Sequence, residues 1–281
     1  ILMSFQCYLF IDKYYFIKEE GMNTLLSRLI VYINSCVKKD VIYEIARYII
    51  KNYSYCQNIT LKDIMDECYV SRASVTRFCE YFGFHSWNNF QSFLVKTKKV
   101  KEQQIESRFS NIDIESIYDH LCYIAKNDSL EFKNNLKKEI NALVEIINQS
   151  SRIYLFGAVY PLSLAVDFQI NMISIGKTVY SDFQSESDYL EPMNEDDLAI
   201  ILTASGRYVG ECKSKFNLIC NNAGKKAVIS CSNRYSSLQY INHYLYIPTT
   251  NKNSFVDFDY YTILILDLIY IEYNLKYCRG K

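Results

Sequence analysis

The stretch Thr60–Phe84, TLKDIMDECYVSRASVTRFCEYFGF, decides how the first part of this chain folds. Thr60 is a helix-capping residue, and Asp63 three places on completes a capping-box-like start. Leu61, Ile64, Met65 and Cys68 then follow the i, i+3, i+4, i+7 rule of one buried stripe. Only Tyr69 and Val70 separate this short amphipathic helix from a second cap, Ser71. The helix that Ser71 opens buries Val75, Phe78, Cys79 and Phe82, and Gly83 supplies its stop. Two helices joined by so tight a turn predict a helix-turn-helix. At about 100° per residue, Ala73, Thr76, Arg77 and Glu80 lie opposite the apolar stripe with Arg72 beside them, so the outward face begins small and basic.

Upstream, Ile42, Ile45 and Ile49 share one helix face before Asn52 to Asn58 break the period. Downstream, a segment opened by Ser86 buries Trp87, Phe90 and Leu94 and runs out into Lys96, Lys98, Lys99 and Lys101. An all-helical domain over 22–101 follows. Residues 1–21 begin with the apolar run ILMSFQCYLFI, which lacks a basic leader and is too short to span a bilayer. They read as an upstream extension, with Met22 as the natural start. Residues 102–130 are polar and weakly patterned and are expected to be the linker.

From 131 the pattern changes. A helix with Leu136, Ile140, Leu143 and Ile147 on one face precedes five short apolar runs: RIYLFG (152–157), KTVYSD (177–182), DLAIIL (197–202), KAVISC (226–231) and HYLYIP (243–248). Helical stretches lie between most of them: one after Pro161 ending at Gly176, one from Val209 ending at Gly224, and a last apolar helix at roughly 259–277. Buried strands alternating with helices predict a five-stranded parallel sheet covered on both faces, an αβα domain over 131–281.

The whole chain holds 281 residues, 49% hydrophobic, with 31 Lys and Arg against 31 Asp and Glu, 8 Gly and 3 Pro. Collagen-like, disordered and uniformly polybasic classes are excluded. Residues 1–110 nevertheless hold 15 basic and 11 acidic side chains, leaving 16 and 20 for the remainder. The ten cysteines form no Cys-x-x-Cys and none sits beside His85, His120 or His243, which argues against zinc or any other metal. They read as reduced thiols of a cytoplasmic protein.

Residues 71–84 resemble the recognition-helix signature of the RpiR family of bacterial regulators, approximately S-x-x-T-V-x-R-F-x-x-x-L-G-F. Ser71, Val75, Arg77, Phe78, Gly83 and Phe84 match, while Ser74 and Phe82 are mild replacements. The second half resembles the sugar-isomerase (SIS) domain of that family through Gly157, Ala165, Asp167, Gly176 and the T-A-S-G turn Thr203–Gly206. Together the resemblance covers about residues 22–281.

A recognition helix meets base edges with its first residues while the preceding helix crosses the backbone. Arg72 and Arg77 suit guanine edges or phosphates, Ser74 and Thr76 hydrogen-bond either, and Ala73 is small enough to approach a thymine methyl. Thr60 and Ser71, as caps, aim free backbone N–H groups at phosphates. The competing reading of Arg77 is a salt bridge to Asp66 or Glu67. The lysines at 96–101 read as a solvated helix end, and Glu80 belongs at the groove margin because it repels phosphate.

The SIS resemblance implies a phosphosugar site with small residues after the first strand and hydroxyls after a later one. Here Gly157 is followed by Ala158, Val159, Tyr160 and Pro161, which removes backbone freedom and a donor. Thr203, Ser205 and Gly206 are retained, but Tyr208 stands where the family has Thr. Ser230 and Ser232, with Ser236 and Ser237, follow a strand at a carboxyl edge, where doubly wound sheets bind ligands; ordinary turn chemistry is the alternative. Tyr160, Tyr208 and Arg207 either reshape the pocket or fill it.

Three functions compete. The first is a DNA-binding regulator of sugar or amino-sugar metabolism, a homodimer or homotetramer whose SIS half senses a phosphosugar. The second is the same regulator with a ligand-free SIS half used only for oligomerisation. The third is a phosphosugar isomerase or lyase. Against catalysis, no acid–base pair is supported: Glu186, Glu191 and Glu195 lie in a polar loop, and His243 sits in a predicted strand. No cofactor is expected.

Overall fold

The computed structural model describes residues 25–183, 190–222, 224–248 and 255–279. The expected extension 1–21, the start at Met22, and Glu186 lie outside the described residues. Contacts divide the described chain into two units. The first runs to Ile33 and over Lys38–Gln103; the second takes Asn34–Val37 and everything from Gln104. Among the described residues no helix is long and apolar enough to cross a membrane.

Among its described residues the first unit holds only helices: α1 (Leu25–Ser35), α2 (Val41–Lys51), a 3₁₀ stretch (Tyr53–Asn58), α3 (Leu61–Glu67), α4 (Arg72–Tyr81) and the start of α5 (Trp87–Ser110). Asp40 caps α2 by accepting from the Tyr43 N–H at 3.0 Å. Ile45, Ile49, Ile64, Val75, Phe78, Phe82, Phe90 and Leu94 are buried, and the ring of Phe90 lies 5.1 Å from Phe78 and 5.5 Å from Trp87. Gln91 on α5 donates to the carbonyls of Cys56, Gln57 and Ile59, which holds the approach to α3 in place.

α3 ends abruptly. The Val70 N–H reaches back to the Met65 carbonyl at 3.0 Å, and Tyr69 between them takes φ +54°. This is a Schellman stop, usually made with glycine; a left-handed conformation costs another L residue roughly 1–2 kcal/mol. Gly83, at φ +84°, ends α4 without that cost.

The division between units falls inside α5, and residues 102–130 hold its end plus α6 (Ile114–Ile124). The expected linker is therefore mostly helix. Asp113 caps α6 through the Ser116 N–H, and Tyr118, Leu121 and Cys122 are buried by it.

The second unit continues with α7 (Leu130–Gln149), β1 (Arg152–Gly157), α8 (Val159–Leu164), α9 (Val166–Ser174), β2 (Thr178–Asp182), β3 (Leu198–Thr203), α10 (Arg207–Glu211), α11 (Lys213–Asn221), β4 (Lys225–Ser230), β5 (His243–Tyr246) and α12 (Phe255–Tyr273). The sheet order is β2-β1-β3-β4-β5 with every pair parallel. All six residues of β3 are buried, as a central strand covered on both faces requires. This is the αβα, five-stranded parallel architecture that the alternation of runs predicts. Two predicted helices are each broken in two, at Ala165 and at Cys212, and Pro161 sits in the first turn of α8, where its missing N–H is no loss. The last helix starts earlier than expected, and after Tyr273 it runs into a π-helical turn, Asn274–Cys278.

Candidate DNA interface and candidate effector site

Thr60 makes the full capping box: its Oγ1 accepts from the Asp63 N–H at 3.1 Å, and an Asp63 oxygen accepts from the Thr60 N–H at 2.7 Å. Those hydrogen bonds, from the backbone first, hold the Asp63 carboxyl below its ordinary range. Ser71 caps α4 by accepting from the Ser74 N–H at 3.2 Å. With α4 fixed at both ends, Val75, Phe78 and Cys79 point inward, while Arg72, Ala73, Thr76, Arg77 and Glu80 are exposed along the other side.

Ser74 does not belong to that open face. It is only 9% exposed, its hydroxyl lies 3.1 Å from Ser71 Oγ, and it accepts weakly from Arg77 at 3.4 Å. The reason is its position four residues before Phe78 and beside Val75, on the edge of the buried stripe. Its hydroxyl and N–H are both engaged in the cap.

Thr76 donates its hydroxyl to the Arg72 carbonyl at 3.1 Å, keeping its acceptor lone pairs outward. Arg77 forms no ion pair with Asp66 or Glu67 among the described residues; apart from its weak bond to Ser74 Oγ, it is exposed beside Arg72, and both guanidinium groups suit bidentate contacts. Lys98 is turned inward, donating to the Ser54 carbonyl at 2.6 Å, whereas Lys96 and Lys99 are exposed.

At the sheet edge, the register sets Gly157 opposite Leu202 and Thr203 opposite Ser230, and the Cys231 N–H donates to the Ala204 carbonyl at 3.1 Å. Gly157, Thr203, Ser205, Gly206, Ser230 and Ser232 thus sit on three adjacent strand ends. Gly157, Thr203, Gly206 and Ser230 are buried, Ser232 is half-buried, and only Ser205 is exposed. Ser230 Oγ accepts from the Ser232 N–H at 3.0 Å and lies 3.4 Å from the Ala204 carbonyl. Ser205 Oγ accepts from Arg207 Nε at 3.2 Å.

Each glycine here answers to a neighbour. A Cβ on Gly157 would stand 2.7 Å from the Leu202 carbonyl oxygen, so strand packing demands this residue. Gly206 takes φ +75°, and a Cβ on it would meet the Tyr235 ring at 2.9 Å. Tyr235, which the sequence did not single out for the site, therefore lies across the turn that the resemblance assigned to an anion. Tyr208 is buried in the aromatic cluster with Tyr154, Phe156 and Tyr180, and burial pushes its phenol well above the usual range. It fills space. Tyr160 stays exposed and donates to Asp259 at 3.0 Å.

His243 begins β5 and His Nε2 lies 3.8 Å from Glu139. No group of three or more His, Cys, Asp or Glu among the described residues forms a metal-ligand cluster.

Residues 43–100 match the helix-turn-helix domain of the rpiR family. That match lies within the helical unit. Over 197 residues the chain is 26% identical to an uncharacterized HTH-type transcriptional regulator in the aarA 3′ region of Providencia stuartii, spanning 66% of this chain and 67% of that one. A second uncharacterized HTH-type transcriptional regulator, from Haemophilus influenzae, is 24% identical over 242 residues, 81% of this chain and 82% of that one. Among solved structures, the Vibrio vulnificus NanR protein complexed with ManNAc-6P is similar with a TM-score of 0.41 and 20% identity, covering 91% of this chain and 93% of that one. The sugar isomerase domain of an RpiR transcription factor from Sphaerobacter thermophilus gives 0.38 and 16%, covering 51% and 83%. Likenesses of that size assign this chain neither a ligand nor a partner.

Proposed function

We propose that the chain is a DNA-binding transcriptional regulator, acting in the cytoplasm as a homodimer or homotetramer. One observation supports this reading above the rest: α4 exposes Arg72, Ala73, Thr76 and Arg77 while its other side is locked into the helical core. That division of faces is what insertion into a major groove requires. Thr60 and Ser71 hold the two helices at their starts. Selection of duplexes from a randomised library by the full chain tests it, and the expected result is enrichment of a two-fold symmetric site. Failure to enrich any duplex counts against the reading.

In the first reading of the α/β unit, a phosphosugar effector binds at Gly157, Thr203, Ser205, Gly206, Ser230 and Ser232 and shifts the spacing of the DNA-binding units, which ties the regulator to sugar or amino-sugar metabolism. This draws support from the resemblance of the Thr203–Gly206 turn and from the adjacency of that turn to Ser230. Such control requires the effector to bind the two spacings with different affinity.

A second reading, in which the unit only assembles copies, is favoured by Tyr235 against Gly206 and by the inward hydrogen bonds of Ser230. Thermal-shift screening against sugar phosphates separates the two. A raised Tm supports the effector; no response across a broad panel supports assembly alone. Neither reading involves catalysis, and turnover of any of those phosphates would overturn both.

A further inference from the structure

Tyr69 is set at the one residue of the α3–α4 turn that adopts a left-handed conformation, φ +54°, and its side chain is 94% exposed. Glycine adopts that conformation freely and is the usual residue of a Schellman stop; a bulky aromatic is strained by it. The ring is also uncovered. Among the described residues the Tyr69 side chain has no hydrogen bond, ring contact or ion pair. The fold therefore gains nothing from tyrosine here, neither at the backbone nor through burial, and an outlier of this kind points to a use outside the chain.

The position says which use. Tyr69 is two residues before Ser71, within about 7 Å by chain length. That end of α4 is the one a helix-turn-helix directs at base edges, with the preceding helix lying across the sugar–phosphate strand. A phenol standing at the junction of the two helices reaches the strand that borders the groove, and tyrosine hydroxyls are among the groups that bond phosphate oxygens there.

We propose that Tyr69 is a DNA-backbone contact, its phenolic O–H donating to a phosphate oxygen beside the groove that α4 enters. The proposal rests on the DNA-binding reading of α4. A neutral donor on a phosphate strengthens binding to every sequence alike and displaces no counterion of its own, so it leaves both sequence discrimination and the salt slope unchanged.

The test uses the full chain, a duplex selected by it from a randomised library, and an unrelated duplex of equal length. Tyr69→Gly is expected to keep or raise Tm, because the backbone relaxes, and to weaken binding to both duplexes by about tenfold, the size of one hydrogen bond to a charged group. Tyr69→Phe, which keeps the ring and loses the hydroxyl, is expected to show most of that loss, with an unaltered slope of log Kd against log salt. Wild-type affinity in Tyr69→Gly, full affinity in Tyr69→Phe, or a loss confined to the selected duplex overturns the proposal. If Tyr69→Gly lowers Tm, Tyr69→Asn, which also tolerates the left-handed backbone, decides, and wild-type affinity in it overturns the contact. A wild-type chain that binds neither duplex overturns the DNA reading itself, a separate result.

Discussion

The exposed side of α4 and the carboxyl edge of the sheet both draw on serine, threonine and arginine, yet the two regions use them in opposite ways. On α4 the hydroxyl of Ser71 is spent on a cap, which leaves Arg72, Ala73, Thr76 and Arg77 facing outward with little to bond inside the chain. At the sheet edge the hydroxyl of Ser230 and the glycines at 157 and 206 serve neighbouring strands and the Tyr235 ring. Residue type alone says which chemistry is available. Direction says whether it is offered to a partner or consumed by the fold.

The contrast breaks most readily at Gly157. If that glycine serves strand packing, Gly157→Ala drives a Cβ into the Leu202 carbonyl and lowers folding stability by about 3 kcal/mol in chemical denaturation. A variant as stable as wild type would mean that the position is free to serve a ligand. Gly206→Ala should cost about 2 kcal/mol, from a left-handed backbone and the Tyr235 contact together. In a Tyr235→Ala background the same change should cost about half as much, since only the backbone part remains. Equal costs in both backgrounds would move Tyr235 off the turn.

On the open side the effects are smaller for the fold. Ser71→Ala removes one cap and should lower stability by about 1 kcal/mol in the same denaturation assay. A larger loss would show that the serine is buried machinery rather than a cap beside an open face.

The smallest effect is one of pH. Burial depresses the His243 imidazole below its ordinary range, opposed by Glu139. The unfolded chain therefore binds the proton more readily, so this contribution to stability is complete above about pH 6.5 and declines as the pH falls below it. His243→Gln should flatten that part of the stability–pH curve, and an unchanged curve would remove His243 from the account.

Much of this was legible in the sequence, because local signals agree with the fold. Thr60 and Ser71 cap as their spacing predicts, Val75, Phe78, Cys79 and Phe82 are buried, and the five apolar runs are the five strands. Ser74 is less legible: its hydroxyl suggests an outward face, while its offset of four from Phe78 puts it on the buried edge. The helix α6 is obscured in the sequence because Asp119 and His120 interrupt its buried residues Tyr118, Leu121 and Cys122, with no Gly or Pro to mark its ends. Tyr235 was out of reach for a different reason: it meets Gly206 across 29 positions of chain, through a loop whose course no periodicity encodes. The strain at Tyr69 was equally silent, since a tyrosine before Val70 and Ser71 looks like any turn residue until its φ is known.

The central claim is that the outer side of α4 reads DNA, and the Arg77→Ala variant of the full chain tests it most directly. Its affinity for a library-selected duplex and for an unrelated one, followed by fluorescence anisotropy over a salt series, gives the answer. The account predicts an intact fold, a loss of about 2 kcal/mol, roughly 30-fold, on the selected duplex, and a smaller loss on the unrelated one. Wild-type affinity and discrimination in a folded Arg77→Ala protein would contradict it.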